Sequence, residues 1–329
     1  MNKKWLLIGL LAGTLPAQAA TVIKLGHGAN ENFHMSRAMQ EFERLVEERS
    51  NGEIEVQIFP SSQMGPDREM IESVQTGILE MAVSPSSIFE NWDPAFGVVE
   101  LAYIYPDKTT ALNVLDGSEG QALLDRLEAL NLVGLGWVES GMRHITNSVQ
   151  PVSTPADLEG IKLRTMKVPA HVDTFDALGA NPTPMNFGEV YSALQQGVID
   201  GQENPLSLIN TQRFYEVQDY LTLSGHVFTA YIPAISKPFF ESLPVTHQEI
   251  LQSAMDDAVQ YDRKLVNEQE QEHLSVIENA GVQVTSLTSE QYEDFAEIAE
   301  QVNLEYRDRI GADLFDSWMA AIDEAHSSL

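Results

Sequence analysis

Two arginines carry the most chemistry in this chain, because cations are scarce in it. Lysine and arginine together number 19 against 49 aspartates and glutamates, a net charge of -30. Arg164 closes the run Ile161-Lys162-Leu163-Arg164, which reads as a strand, and α/β ligand sites open at strand ends. A guanidinium there can grip a carboxylate through two parallel charge-assisted hydrogen bonds. Among so many acids it can equally be half of an ion pair. Arg143, in Ser140-Gly141-Met142-Arg143-His144, follows a strand-like run at 132–138 and has the same two possibilities. Phe187, next to a helix cap, could wall an acid pocket or fill core. Asn204, in Glu203-Asn204-Pro205, could donate an amide hydrogen bond or shape a turn before proline. Asp67 reads as a helix cap, and Tyr231 lies in a proline-flanked apolar strand that suits core.

Enzyme motifs are missing from the pattern. There is no His-Glu-x-x-His pair, no Gly-x-Ser-x-Gly elbow and no phosphate loop. Gly134 and Gly136 follow a strand, but Gly141 is too distant to complete a dinucleotide fingerprint. His27 and His34 lie seven apart without a third ligand nearby, so no metal is expected there. Cysteine is absent, which excludes disulfides and thiol chemistry. No cofactor is expected. A polyanion without a basic patch does not bind nucleic acid or an anionic membrane surface. Its acidic clusters, at 262–272 and 290–300, form a solvated surface of the kind a salt-loving bacterium uses.

The elements that must position these residues alternate between strand and helix, an α/β pattern. Residues 53–59 alternate Ile54, Val56 and Ile58 with polar side chains, the signature of a strand. Further short strands are expected at 22–25, 79–83, 132–138, 161–164 and 282–284. Met35, Met39, Phe42, Leu45 and Val46 recur at helical spacing. Asp67 precedes Met70, Ile71 and Val74 as a cap, and Asn186 with Glu189 forms a capping box. From about residue 249 the chain is mostly helical. Lys3 and Lys4, the apolar run 5–15 and Ala17-Gln18-Ala19 form a signal peptide, with cleavage expected at Ala20 or Thr21. The run is too short for a spanning helix, which needs roughly 20 apolar residues. The mature chain of about 309 residues is long for one core and suggests two lobes.

The stretch 160–205 resembles, almost word for word, the solute-binding subunits of TRAP transporters, the DctP-type family. The words are Gly160-Ile161-Lys162-Leu163-Arg164, Pro182-Thr183-Pro184-Met185-Asn186-Phe187-Gly188-Glu189-Val190-Tyr191 and Asp200-Gly201-Gln202-Glu203-Asn204-Pro205. Leu25-Gly26-His27, Pro60-Ser61-Ser62-Gln63-Met64-Gly65 and the final helices are similar to the family too. The resemblance implies a periplasmic protein, not an enzyme, with a two-lobed α/β binding-protein fold and a long helix crossing the hinge. It implies lobe I from 21–141 plus 230–269 and lobe II from 142–229 plus 270–329. It implies Arg164 as the partner of a ligand carboxylate, Arg143 as a second arginine, Phe187 as an aromatic wall and Asn204 as an amide contact. Asp67, Ser84 and Ser86 match pocket-lining positions of the first lobe, and His27 and Tyr231 complete the expected set.

The function so implied is capture of a small organic acid, a sugar acid or a C4-dicarboxylate, by lobe closure. Delivery would be to the small and large membrane subunits of a permease. A monomer suffices. Pro85 and Gly28 depart from members that take large amino sugars, which argues against such a ligand. Residues 162–166 and the C-terminal region are also similar to members that bind compatible solutes, although no aromatic cage is evident. An ectoine-like osmolyte binder, a sensory ligand-binding module and a periplasmic sugar-acid enzyme are the alternatives.

Overall fold

The computed structural model describes residues 20–329, so the expected signal peptide lies, except for Ala20, outside the described residues. Eleven strands are joined in one network. They are β1 (Thr21–His27), β2 (Ile54–Phe59), β3 (Met81–Pro85), β4 (Leu132–Gly134), β5 (Val138–Asn147), β6 (Lys162–Thr165), β7 (Asn181–Pro184), β8 (Gly201–Pro205), β9 (Tyr220–Leu223), β10 (Phe228–Ser236) and β11 (Gln283–Ser286). The order along the main path is β2-β1-β3-β10-β5-β8-β6-β7, with β4 on β10, and β9 and β11 beside β5. The protein is a mixed α/β, two-lobed binding-protein fold.

The first lobe is built on β1, parallel to β2 and β3, with β10 antiparallel to β3. In β2 the expected alternation appears as Ile54 and Val56 buried, Glu55 exposed. The helix His34–Arg49 buries Met35, Ala38, Met39, Phe42, Leu45 and Val46 against this sheet. The second lobe is built on β6, parallel to β7 and β8, around Ile145, Leu163 and Phe175.

β5 belongs to both lobes. Its first residues, from Val138 to Met142, pair with β10, and its last, from Arg143 to Asn147, pair with β8. At the changeover Gly141 has φ +112°, a conformation only glycine adopts without strain. The run expected at 132–138 is therefore two strands. Gly136, at φ +146°, separates them, and Arg143 lies inside β5 rather than after it.

The helix Val245–Asn279, 35 residues and about 52 Å long, crosses both lobes. Leu251, Ala254 and Met255 pack in the first core, and Ile277 packs in the second with Ile209 and Val282. The last two helices, Ser289–Ile310 and Ala312–Ser327, divide the same way. Phe295 sits in the second core, whereas Tyr306, Phe315 and Trp318 sit in the first. Residues 270–329 are thus not confined to the second lobe, as the sequence reading had them. Apolar side chains at helical spacing along both helices let the chain re-cross.

Candidate functional site

A cavity of about 80 Å³ opens between the lobes. Gly28, Asp67, Arg68, Pro85 and Asn91 line it from the first lobe. Arg164, Met166, Lys167, Met185, Asn186, Phe187 and Asn204 line it from the second, and Arg143 and Tyr231 sit at the strands shared between them. Six of the nine expected residues are brought together here: Arg164, Arg143, Asn204, Phe187, Asp67 and Tyr231, with Ser84 behind Asp67.

The two arginines differ in what holds them. Arg143 donates through Nε and through Nη2 (2.8 Å) to the Glu203 carboxylate. It also donates to the Glu203 carbonyl at 2.6 Å, to Thr229 Oγ1 at 3.3 Å and to Asn204 Oδ1 at 3.3 Å. Burial works against the Glu203 anion, but Arg143 and a hydrogen bond from His226 (3.1 Å) outweigh it and hold the carboxyl far below its ordinary range. Arg143 thereby has its charge balanced by Glu203.

Arg164 has no carboxylate on it. Its Nε and Nη2 both donate to the Met185 carbonyl, at 3.2 and 2.9 Å, and Phe187 presents its ring 5.8 Å from the guanidinium. Its Nη1 is buried without a partner. Burial pushes Arg164 down to about 10, with the Arg143 charge adding to the effect, so it stays cationic at neutral pH.

Asp67 is the first residue of the helix Asp67–Gln75 and not its cap: Pro66 holds the cap position, and no side chain caps it. The Asp67 carboxylate accepts from Ser84 Oγ at 3.4 Å. Burial pushes it up to about 6, against the pull of Arg164. Asn204 donates to Gln202 Oε1 at 2.5 Å, which fixes its amide. Tyr231 lies in β10, as its apolar strand suggests, with its ring edge-on to Phe33 at 6.0 Å. The capping box at Asn186 is not formed: Asn186 caps no backbone N–H with its side chain, and instead donates its amide to the Glu189 carboxylate at 3.0 Å.

Two expected residues lie elsewhere. His27 ends β1 beneath the cavity, and neither of its ring nitrogens has a partner. Burial drops it to about 4, so it is neutral. Ser86 donates to Glu100 Oε1 at 2.8 Å, away from the cavity. His34, the second histidine of the loop, is 2.7 Å from Asp262.

The sequence reading missed the Met185 carbonyl, the role of Glu203, and the linings from Arg68, Met166 and Lys167. Glu203 had a signal: an acid set between the polar residues Gln202 and Asn204 in a short segment. The Met185 carbonyl had none, since backbone groups are not written in side chains.

Charge, burial and position in a cleft suit this site to an anion. The chain is a ligand-binding protein of the two-lobed extracytoplasmic class. It belongs to the family described as bacterial extracellular solute-binding protein, family 7 (DctP), whose profile matches residues 25–309. It is 35% identical over 287 residues to the 2,3-diketo-L-gulonate-binding periplasmic protein YiaO of Escherichia coli (strain K12), covering 87% of this chain and 88% of that protein. It is 33% identical over 320 residues to the C4-dicarboxylate-binding periplasmic protein DctP of Rhodobacter capsulatus, covering 95% of each. The crystal structure of the sugar acid binding protein DctPAm from Advenella mimigardefordensis, in complex with galactonate, superposes with a TM-score of 0.91 at 34% identity. The match covers 93% of this chain and 99% of that one. The protein is therefore a TRAP-type solute-binding protein and not an enzyme. Its family is periplasmic, and no helix among the described residues is long and apolar enough to cross a membrane.

Proposed function

We propose that this protein captures a small organic acid, a sugar acid or a C4-dicarboxylate, by docking the carboxylate on Arg164. Closure of the lobes around the acid then presents it to the TRAP permease. One observation carries the reading: Arg164 is buried, lines the cavity, has no hydrogen-bonded carboxylate and has an Nη1 without a partner, while neighbouring Arg143 is hydrogen-bonded to the Glu203 carboxylate. A buried cation without a counter-ion is costly, and the acid supplies the missing charge. Walls from both lobes support closure, since the acid then favours the closed state by its added contacts. The cavity of about 80 Å³ equals space for on the order of five to eight waters, which suits an acid of about four carbons. The named ligands of the relatives, a diketo-gulonate, C4-dicarboxylates and galactonate, support the same class. The cleaved signal peptide is part of this proposal, because the site works outside the cytoplasm.

The test is thermal denaturation of refolded, ligand-stripped protein with uronates, aldonates, C4-dicarboxylates, keto acids and ectoine. An acid at a thousand times its dissociation constant should add about 4 kcal/mol of stability. Arg164→Ala should abolish that gain. Stabilisation by ectoine alone would refute the assignment.

A further inference from the structure

We infer that the site is built for a monocarboxylic acid with a hydroxyl next to its carboxylate, and that Asp67 is the acceptor that selects this acid over a C4-dicarboxylate. The inference rests on the reading that the carboxylate docks on Arg164.

The charges around the cavity decide it. Glu203 cancels Arg143, which leaves Arg164 as the one buried cation there for a ligand among the described residues. Asp67 lines the same cavity, close enough for Arg164 to act on its charge. Its side chain accepts one hydrogen bond among the described residues, the 3.4 Å bond from Ser84. Acceptor capacity is left over on Asp67 and donor capacity on Arg164, both facing one ligand. A carboxylate with an adjacent hydroxyl matches the pair: the carboxylate takes the Arg164 Nη1 donors, and the hydroxyl donates to Asp67. Gly28 keeps the Asp67 carboxylate reachable, since a Cβ there would stand 3.3 Å from Asp67 Oδ1.

A second ligand carboxylate fits poorly. Inside the cavity it meets Asp67, a like charge. At the mouth it finds Arg68, already paired with Glu72 at 3.0 Å, and exposed Lys167. Ion pairs in water at such positions add little affinity. An ammonium beside the carboxylate would also reach Asp67, but it needs several acceptors and is repelled by Arg164. A charge-assisted hydroxyl bond is worth roughly ten- to a hundredfold in affinity.

The experiment is titration calorimetry of the ligand-stripped protein at pH 8. The probes are the four-carbon aldonates erythronate and threonate, 3,4-dihydroxybutyrate (which lacks the 2-hydroxyl), succinate and homoserine. An aldonate should bind at least about thirtyfold more tightly than both 3,4-dihydroxybutyrate and succinate. Asp67→Ala and Asp67→Asn should compress those ratios to within about threefold while binding to 3,4-dihydroxybutyrate persists. Succinate or homoserine binding best, or ratios unchanged in Asp67→Ala, overturns the inference and leaves Arg164 docking intact. Wild-type protein that binds none of the acids overturns the docking reading itself, and this inference with it. Melting curves confirm that each variant is folded.

Discussion

Replacing Arg143 and Arg164 by methionine, one at a time, should affect the ligand-free protein in opposite ways. Both side chains are only 2% exposed, so composition and burial do not separate them. Their partners do. Arg143→Met leaves the Glu203 carboxylate buried with His226 as its remaining polar neighbour, and breaking a buried pair in this way costs about 3–5 kcal/mol. Arg164→Met removes a cation that no carboxylate balances. The depression of Arg164 to about 10 corresponds to about 3 kcal/mol against its charged form. Against that, the Met185 carbonyl loses both donors, a loss of about 1–3 kcal/mol. The net effect should lie between neutral and about 2 kcal/mol of added stability. Urea denaturation of the ligand-free proteins reads these differences as shifts in midpoint. Calorimetry with the best acid should show Arg164→Met weakened at least about a hundredfold. If Arg164→Met unfolds as easily as predicted for Arg143→Met, and Arg143→Met is tolerated, the assignment of one arginine to the protein and the other to the ligand is wrong.

Three further outcomes are expected. Because the Glu203 carboxyl is held low, its contribution to stability is complete above the ordinary glutamate value of about 4.3 and fades as pH falls below it. Glu203→Gln should therefore destabilise the protein at pH 7 by about 3 kcal/mol and flatten its acid unfolding limb, as followed by circular dichroism against pH. Asp67, pushed up to about 6 and faced by Arg164, Ser84 and Tyr231, ionises above that pH. Succinate affinity should then fall by up to tenfold for each pH unit above 6, and calorimetry between pH 5 and 8 should find this slope absent in Asp67→Asn. Trp318, buried with its indole N–H donating to Tyr105 Oη at 2.8 Å, ties the final helix to the first lobe. Trp318→Ala should cost about 3–5 kcal/mol in urea denaturation with ligand affinity within threefold of wild type.

Much of the first lobe was legible because its elements are amphipathic. In 53–59 polar and apolar residues alternate, and in 35–46 they recur at helical spacing, so burial of one face follows from either pattern. The stretch 139–147 was assigned no element. Its residues Glu139, Ser140, Arg143, His144 and Thr146 show no apolar alternation, yet they form most of β5, covered by both lobes. Polar side chains survive there because they satisfy one another, as Thr146 does with Gln202 and Gln218, each at 2.8 Å. Such pairings join residues more than fifty positions apart, and no local pattern contains them. The last helices were legible as helices but not as belonging to two cores, for the same reason.

The sequence by itself determined the alternation of strands and helices, the family, the scarcity of cations and the candidacy of Arg164, Arg143, Asn204, Phe187, Asp67 and Tyr231. The alternation and the scarcity of cations follow from residue type and spacing; the family and the site residues follow from the resemblance of the stretch 160–205 and its companion words. The tertiary structure alone decided which of two similar arginines is free. Arg143 and Glu203 are sixty residues apart and meet only because β5 and β8 pair antiparallel, which sets Arg143 opposite Pro205 and His144 opposite Asn204. Arg164 is held by a backbone carbonyl 21 residues away, where β6 and β7 end side by side. The free valence that a ligand can use is what long-range pairing leaves over, on Arg164 rather than on Arg143.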